Sequence, residues 1–378
     1  MTIPVTKAFL PPLEDYQSYL KGIWERGWLT NNGPLVLELE EKLRSRLGVK
    51  HLFFVNNGTI AIQIALKALD CKGGEVITTP FSYVATTSSV VWEGFTPVFA
   101  DIDPRTLCLD PRRVEEAITD RTVAILATHV FGTPCDVDAF RRIETERGIP
   151  VLYDAAHAFG VSVQGRSVLT FGSMSTLSFH ATKVFHTAEG GAIVTENDEL
   201  AHKISYLRNF GHNGPEQFFG LGVNGKSSEF HAGIGLSVLK CIPTLLEKRE
   251  RLARLYDDKL QQLFDDGFIV KPALLRAPEG NNSYYPVLFR SEEELLVAVQ
   301  ALREREIQPR RYFYPSLSTL PYVDATTKVP VGEDISKRVL CLPFYPQLTD
   351  AECESVVEVL RACHEHAMAS SQAAVANA

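Results

Sequence analysis

The chain has 378 residues, of which 45% are hydrophobic and 22% charged, and its formal net charge at pH 7 is -8. This composition excludes a disordered chain, a collagen and a coiled coil, and the length predicts two or three structural units. The chain has 38 basic side chains against 46 acidic ones, so no broad positive surface is expected, and nucleic acid is excluded as a main partner.

The seven cysteines are scattered along the chain and never occur in C-x-x-C spacing. This pattern indicates neither a disulfide framework nor a zinc site, and no metal is expected. The N-terminus lacks the basic and apolar regions of a signal peptide, and no apolar stretch reaches the roughly 18 residues that cross a bilayer. We therefore expect a cytoplasmic protein with no membrane partner.

Two helices are predicted near the start of the chain, first around Tyr16 to Arg26 and then over Pro34 to Leu47. Short β-branched runs follow at intervals of about 20 residues, which indicates a mainly parallel sheet covered by helices. The predicted strands are His51 to Val55, Glu75 to Thr78, Pro97 to Ala100, Val123 to Thr128, Pro150 to Tyr153, Ser175 to Phe179 and Ala192 to Thr195.

The pattern changes after residue 240. A long helix is predicted over Thr244 to Phe264, directly after Pro243, and it leads into a unit of about 120 residues that mixes helices and strands. The later predicted elements are a strand over 283–290, a helix over Glu292 to Glu306, a strand over Arg338 to Leu342 and a helix over Asp350 to His364. We predict a large domain over 13–240, a smaller C-terminal domain over 241–366 with 1–12 packing nearby, and a flexible tail over 367–378.

The segment most informative about chemistry is 177–183, an apolar run that contains Ser178 and ends at Lys183 before a Gly-rich stretch. A lysine at the mouth of an α/β sheet is costly to desolvate unless it is used. Partial burial lowers the pKa of an amine toward the nucleophilic range, so Lys183 is a candidate Schiff-base amine. An arbitrary lysine is more often a solvated surface residue, and the context must overturn that interpretation.

Asp154 follows an apolar strand, and His157 stands three positions later. A carboxylate at the carboxyl end of a strand lies in the usual ligand crevice of an open sheet, where it can pair with a protonated ring nitrogen. Taken alone, Asp154 is equally compatible with a helix N-cap.

Two further segments also follow predicted strands. Gly58 and Thr59 open a helix, and backbone N–H groups at such a start form an anion site suited to a phosphate, to which Ser178 can add a hydrogen bond. Either Tyr83 or Phe81 can stack on a flat heterocycle. A phosphate cradle, an aromatic face, a carboxylate and a lysine are together what pyridoxal phosphate needs.

These motifs resemble a known family. The run Asp154-x-x-His157, the segment 178–183 and the following Glu189-Gly190-Gly191 look like the DegT/DnrJ/EryC1/StrS sugar aminotransferases, which are fold-type I pyridoxal phosphate enzymes. The resemblance extends over nearly the whole chain. It implies an α/β fold with a large, mainly parallel seven-stranded sheet, helices on both faces of that sheet, and a smaller C-terminal α+β domain.

The resemblance also implies roles for individual residues. Lys183 would bind the cofactor covalently, Asp154 would pair with the pyridine nitrogen, and His157 would lie near the 3-hydroxyl. The resemblance assigns the remaining cofactor contacts to Tyr83 on the ring and to Gly58, Thr59 and Ser178 on the phosphate. It further implies a homodimer with active sites at the subunit interface, where Asn224 of the neighbouring subunit completes the phosphate site.

The chain departs from the family pattern near Asn224. Lys226 stands where arginine is common, and Ser227 stands where methionine is common. Lysine keeps the charge but loses the planar fork of arginine, so the resemblance does not carry a carboxylate or phosphate contact over to this position.

The implied reaction is a ping-pong transamination from L-glutamate to a keto group on a nucleotide-linked sugar. Lysine at position 183 favours an aminotransferase over the related dehydratases, which carry histidine there. The lysine segment and the segments 28–34 and 153–160 resemble enzymes that aminate C4 of dTDP-4-keto-6-deoxyglucose to give dTDP-4-amino-4,6-dideoxyglucose. The candidate sugar contacts are Trp28, Thr30, His180, His186, Arg311 and Tyr314.

Three alternatives stay open at the level of sequence. The chain can be a 3-keto or other nucleotide-sugar aminotransferase. It can have another fold-type I activity, such as that of a decarboxylase or an amino-acid aminotransferase, in which Arg310 or Arg311 would bind the substrate carboxylate. It can also be a non-catalytic regulatory protein that keeps the fold.

Overall fold

A computed structural model describes residues 2–272, 280–324 and 327–376 of the chain. The described strands are β1 (Ile3–Pro4), β2 (His51–Val55), β3 (Glu75–Thr78), β4 (Thr96–Phe99), β5 (Thr122–Thr128), β6 (Val151–Asp154), β7 (Ser162–Val163), β8 (Arg166–Ser167), β9 (Met174–Ser178), β10 (Gly191–Thr195), β11 (Ile269–Val270), β12 (Pro286–Phe289), β13 (Ile307–Gln308) and β14 (Val339–Cys341). The described α-helices are α1 (Leu13–Arg26), α2 (Pro34–Leu47), α3 (Gly58–Ala68), α4 (Val84–Trp92), α5 (Pro111–Ala117), α6 (Val137–Arg147), α7 (Asp198–Leu207), α8 (Glu229–Asp265), α9 (Glu292–Glu304), α10 (Pro330–Arg338) and α11 (Asp350–Ala376).

The central sheet has seven strands in the order β2-β10-β9-β6-β5-β3-β4. Neighbouring strands run parallel except for β10, which is antiparallel to both β2 and β9. These are the seven strands predicted from the sequence, with ends that differ by at most one residue. The predicted α/β fold with a mainly parallel sheet is therefore confirmed.

Apolar side chains fill both faces of this sheet. Phe54 and Val55 are neighbours on β2, yet they belong to different cores, because successive residues of a strand point to opposite faces. One core packs α1, α2 and the first half of α8 against the sheet, and the other packs α3 and α7. The two layers of helices hold the carboxyl edge of the parallel strands in a fixed position.

A smaller sheet forms the C-terminal part of the chain, with antiparallel strands in the order β11-β12-β14. Its core is shared with the second half of α8, with α9 and with α11. The N-terminal strand β1 joins this part of the chain, because Ile3 pairs in parallel with Ile307 on β13. The division into domains over 13–240 and 241–366 stays a prediction.

Helix α8 differs from the helix predicted over Thr244 to Phe264. It begins at Glu229, has 37 residues and contains Pro243. Proline removes one backbone hydrogen bond and usually marks a helix start or kink. Here the residues on both sides of Pro243 are held by packing, since Ile242 and Leu245 are buried in the core beneath α2. Tertiary burial therefore outweighs the local signal.

Helix α11 is also longer than predicted. It was expected over Asp350 to His364, and it continues to Ala376 through most of the segment predicted to be a flexible tail. Flexibility of that segment stays a prediction, and residues 377–378 lie outside the described part of the chain. Neither α11 nor any other helix within the described ranges combines the length and apolarity needed to cross a bilayer.

Candidate active site

A cavity of about 310 Å³ lies along the carboxyl edge of the central sheet. Its floor comes from the ends of β5, β6 and β9 and from the segments that follow β2 and β3. The C-terminal part of the chain supplies the opposite wall through Tyr284, Arg310, Tyr312 and Phe313. This edge is where ligands bind in open α/β sheets, so the fold places the predicted chemistry where it was expected.

Lys183 lies in the turn after β9, and its half-buried side chain lines the cavity. Loss of hydration lowers the pKa of its amine to about 8, although the negative charge of Asp154 opposes the shift. A substantial fraction of the amine is therefore unprotonated near pH 8 and available as a nucleophile or base.

Asp154 is the last residue of β6 and is buried at the cavity floor. Burial raises the pKa of its carboxyl group, and hydrogen bonds together with the positive charge of Lys183 act in the opposite direction. Its Oδ2 accepts a hydrogen bond of 2.7 Å from the Thr86 hydroxyl, and its Oδ1 accepts one of 3.1 Å from the backbone N–H of Ala156. A carboxylate held in this way can pair with a cationic group inside the cavity.

His157 is a buried residue at the boundary between the two parts of the chain. Burial and the nearby charge of Lys183 lower its pKa well below the ordinary value, so its imidazole is neutral. Its Nδ1 accepts a hydrogen bond of 3.2 Å from the backbone N–H of Phe131, which leaves the proton on Nε2. His157 therefore offers one N–H donor at the cavity wall.

The N-terminus of α3 forms the end of the cavity next to β9. Asn57 caps the helix, because its Oδ1 accepts a hydrogen bond of 2.8 Å from the backbone N–H of Ile60. A Cβ atom on Gly58 would lie 3.0 Å from Cβ of Ser178, so glycine allows the helix start to approach β9 closely. Gly58, Thr59 and Ser178 thus come together at a helix start, where the first N–H groups have no partner within the helix, as an anion site requires.

Tyr83 and Phe81, the two candidates for an aromatic face, lie in different places. Phe81 is fully buried and packs edge-on against Phe131 and Phe313. Tyr83 lines the cavity at its rim with 54% of its surface exposed. Of the two candidates, Tyr83 is therefore the one that can cover a flat ring in the cavity.

Several predicted sugar contacts do not line this cavity. Trp28 and Thr30 are exposed and bond to each other, with the indole N–H donating to the Thr30 carbonyl at 2.6 Å. His186 is buried elsewhere, and its two ring nitrogens bond to the carbonyl of Phe9 at 2.7 Å and the N–H of Ala188 at 3.3 Å. Within this chain, the ring of His186 is thus committed to backbone partners.

Two more predicted contacts pair with each other at the C-terminal wall. Arg311 donates a hydrogen bond of 2.6 Å to Glu292, and its guanidinium lies 3.7 Å from the ring centroid of Tyr314. Neither residue lines the cavity, whereas the preceding Arg310 does. Of the six predicted sugar contacts, His180 is the one that lines the cavity.

Asn224 is exposed and stands apart from the cavity of its own chain. Its side-chain oxygen accepts a hydrogen bond of 3.0 Å from Lys226, and its carbonyl accepts one of 3.3 Å from Asn56. The structure therefore does not bring Asn224 together with Gly58, Thr59 and Ser178 of the same chain.

Two groups of residues at this site were not predicted from the sequence. Ser82 lines the cavity, whereas Thr86 is buried in α4 and contacts Asp154 without lining the cavity. Both follow β3, a strand that ends at the cavity, and that position was the available signal. Tyr284 belongs to the opposite wall and is distant in sequence, so no local pattern indicated it.

The residues around the cavity fit pyridoxal phosphate. The ring nitrogen requires a buried anion, which Asp154 supplies, and the aldehyde requires an amine that is partly neutral, which Lys183 supplies. The phosphate requires N–H donors without a competing carboxylate, which the start of α3 supplies.

The comparisons with known proteins agree with this geometry. Residues 13–361 match the DegT/DnrJ/EryC1/StrS aminotransferase family. A dTDP-4-amino-4,6-dideoxy-D-glucose transaminase of Shigella dysenteriae is 43% identical over 369 residues, which cover 94% of this chain and 98% of that protein. A protein of the same name from Escherichia coli is 40% identical over 368 residues, covering 95% of this chain and 97% of that protein.

A solved structure gives the same result at the level of the fold. DesI, determined in the presence of its TDP-sugar product, matches with a TM-score of 0.90 and 33% identity, over 96% of this chain and 93% of that one. The predictions of family, enzyme class and cofactor are confirmed. The chain belongs to the DegT/DnrJ/EryC1/StrS aminotransferase family and is a pyridoxal phosphate-dependent aminotransferase.

Proposed function

We propose that the chain transfers the amino group of L-glutamate to the 4-keto group of dTDP-4-keto-6-deoxy-D-glucose and so forms dTDP-4-amino-4,6-dideoxy-D-glucose. The observation that carries the proposal is the convergence of Lys183, Asp154 and the α3 N-terminus in one cavity. The names of the two relatives described above support the choice of sugar and of C4.

The cavity residues divide into those that hold the cofactor and those that move protons. When bound, pyridoxal phosphate supplies an electron sink that acidifies the α-proton of an amino acid. We assign its phosphate to Gly58, Thr59 and Ser178, its ring nitrogen to Asp154 and its ring face to Tyr83. His157 directs its Nε2 proton to the ring hydroxyl.

Lys183 moves the proton in both halves of the reaction. Its amine takes the α-proton of glutamate in the first half and returns a proton to the sugar carbon in the second. A pKa of about 8 suits both directions, because such a group accepts and releases a proton at nearly the same cost around that pH.

We place the substrate between the sheet edge and the C-terminal wall. His180 lines this space, and its Nδ1 is 2.8 Å from the Thr182 hydroxyl. Arg310 also lines it and replaces Arg311 in our assignment, because Arg311 is paired with Glu292. The guanidinium of Arg310 has no carboxylate partner among the described residues and is suited to a substrate oxyanion.

The enzyme acts in this proposal as a cytoplasmic homodimer whose sites are shared between subunits. Asn224 would reach the phosphate of the partner's cofactor. Its surroundings support an interface, since Phe218, Leu221 and Val223 expose 62%, 75% and 44% of their surfaces. Apolar groups that cluster on a surface commonly mark a contact with another chain.

A substrate-exchange assay tests the proposed function. The purified enzyme receives glutamate with either dTDP-4-keto-6-deoxyglucose or an ordinary α-keto acid. If the proposal is right, only the sugar is aminated. Turnover of the keto acid alone would instead indicate an amino-acid aminotransferase.

A variant tests the role of Lys183. Lys183→Ala is expected to lose the visible absorption of the lysine-bound cofactor together with turnover. Lys240→Ala, which changes an exposed lysine paired with Asp15, is expected to keep both. Unchanged colour in Lys183→Ala would contradict the assignment of this residue.

A further inference from the structure

Three buried hydroxyl groups form a hydrogen-bonded chain that ends on Asp154. The Thr128 hydroxyl lies 3.2 Å from that of Ser82, the Ser82 hydroxyl lies 2.8 Å from that of Thr86, and the Thr86 hydroxyl lies 2.7 Å from Oδ2 of Asp154. All four residues are buried, with exposed fractions of 5% or less. Ser82 and Thr128 line the cavity, whereas Thr86 does not, and the hydrogen-bonded chain crosses the carboxyl edges of β3, β5 and β6.

The ionised carboxylate fixes the direction of every bond in this chain. A carboxylate only accepts hydrogen bonds, so the single hydroxyl proton of Thr86 must point to Asp154. Ser82 must then donate to Thr86, and Thr128 must donate to Ser82. Successive donors that point the same way strengthen one another, and a charged acceptor makes the last bond the strongest.

We propose that Thr86, supported by Ser82 and Thr128, is a positioning residue that holds Asp154 ionised and aimed at the cationic ring nitrogen of the bound cofactor. This inference rests on the role of Asp154 in the proposed function. Thr86 itself does not line the cavity and acts only through the carboxylate.

The other groups that face Asp154 do not replace this bond. Ala156 donates one backbone hydrogen bond to the second carboxylate oxygen, and His157 is neutral. The positive charge of Lys183 also acts on Asp154, but once its nitrogen binds the cofactor it keeps that charge only while it is protonated. Among the described residues, Thr86 is the side chain that donates a hydrogen bond to Asp154, and this bond offsets part of the cost of burying the carboxylate.

The neighbouring Thr87 provides a matched control. Both threonines lie in α4 and both are fully buried, but the Thr87 hydroxyl has no hydrogen-bond partner among the described residues. Threonine to valine keeps the branched shape and removes only the hydroxyl. Any effect of Thr86→Val that Thr87→Val lacks therefore belongs to the bond with Asp154.

The test measures two properties of the purified holoenzyme variants. In the first, glutamate is added in a single turnover and the decay of the visible cofactor band gives a rate. This rate is expected to fall about 10-fold in Thr86→Val and to stay within about twofold in Thr86→Ser and Thr87→Val. The second is the pH midpoint of the same band before glutamate is added. We expect this midpoint to rise in Thr86→Val. Without the hydrogen bond the carboxylate is less often ionised, so the cofactor ring carries less positive charge. The lysine nitrogen then holds its proton up to a higher pH, because the ring repels that proton less.

The outcomes separate this inference from the proposed function. Thr86→Val with the wild-type rate and midpoint, beside a slow Asp154→Asn, would overturn the role of Thr86 and leave that of Asp154 intact. A wild-type rate in Asp154→Asn itself would refute the proposed role of the carboxylate. If Thr86→Val does not fold, Ser82→Ala takes its place, and an unchanged rate and midpoint in that variant would overturn the inference.

Discussion

The imidazole of His157 lies parallel to the ring of Phe313, with 5.7 Å between the ring centroids and 2° between the ring planes. His157 follows β6 of the central sheet, whereas Phe313 comes from the C-terminal part of the chain between β13 and β14. Asn281 adds a second link, because its side chain donates hydrogen bonds to the carbonyls of His157 and Phe159 at 2.8 and 3.0 Å. The cavity is therefore built by two parts of the chain that fix each other's position.

Replacing Asp154 by asparagine tests the partner of the ring nitrogen. The variant is expected to keep its cofactor through dialysis but to lose about 100-fold in turnover, because a neutral amide no longer favours the protonated ring. Asp198→Asn serves as a surface control, since the side chain of Asp198 is exposed to solvent and pairs with Lys50 and His51. Turnover of Asp154→Asn within about twofold of wild type would contradict the assignment.

The lowered pKa of Lys183 predicts how cofactor uptake depends on pH. With a pKa of about 8, half of the amine is neutral at pH 8, whereas an ordinary lysine with a pKa of 10.5 would be almost fully protonated there. The rate at which the cofactor-free protein regains its visible band should rise about tenfold per pH unit below pH 8 and level off above it. A rate that keeps rising up to pH 10 would show that burial does not lower this pKa.

Arg310 and Arg311 are expected to respond differently to the same change. Arg310→Gln removes the guanidinium that lines the cavity. Glutamate, the nucleotide sugar or both can place an oxyanion against Arg310, and the KM of each substrate that does so should rise about 10-fold. Arg311→Gln breaks the ion pair with Glu292, so it should lower the melting temperature and leave both KM values near wild type. Steady-state kinetics with each substrate varied in turn decide between them. Unchanged KM values in Arg310→Gln would remove this residue from the substrate site.

Mixed dimers test whether Asn224 serves the partner's site. One chain carries Lys183→Ala and the other Asn224→Ala, and the two are produced together and purified through different tags. If the sites are shared as proposed, one site of the mixed dimer has both native residues and should give about half of the wild-type turnover. If Asn224 serves its own chain, neither site is complete, and the mixed dimer should be no more active than the average of the two variant homodimers.

The parts of this fold that local patterns control were predictable from sequence. Strands such as β2 and β5 are short apolar runs between helices, and a mainly parallel sheet brings their carboxyl ends to one edge. That rule alone placed Asp154, Gly58 and Lys183 together, as the structure also places them.

Features that depend on distant residues were not predictable. The prediction that a helix begins after Pro243 was wrong. Helix α8 continues through this proline because the neighbouring Ile242 is packed in the core. His186 and Arg311 looked available in the sequence, but Phe9 and Glu292 engage them in the fold. The hydroxyl chain that ends on Asp154 joins three strand ends, and the register between strands determines which side chains meet there.

Identifying the product tests most directly whether this enzyme places an amino group on C4 of a dTDP-linked sugar. The enzyme is incubated with L-glutamate and dTDP-4-keto-6-deoxyglucose, and the product is examined by mass spectrometry and NMR. We expect a new nucleotide sugar with its nitrogen bonded to C4 and the configuration of dTDP-4-amino-4,6-dideoxy-D-glucose. A product aminated at C3, or recovery of unchanged sugar with active holoenzyme, would contradict this expectation.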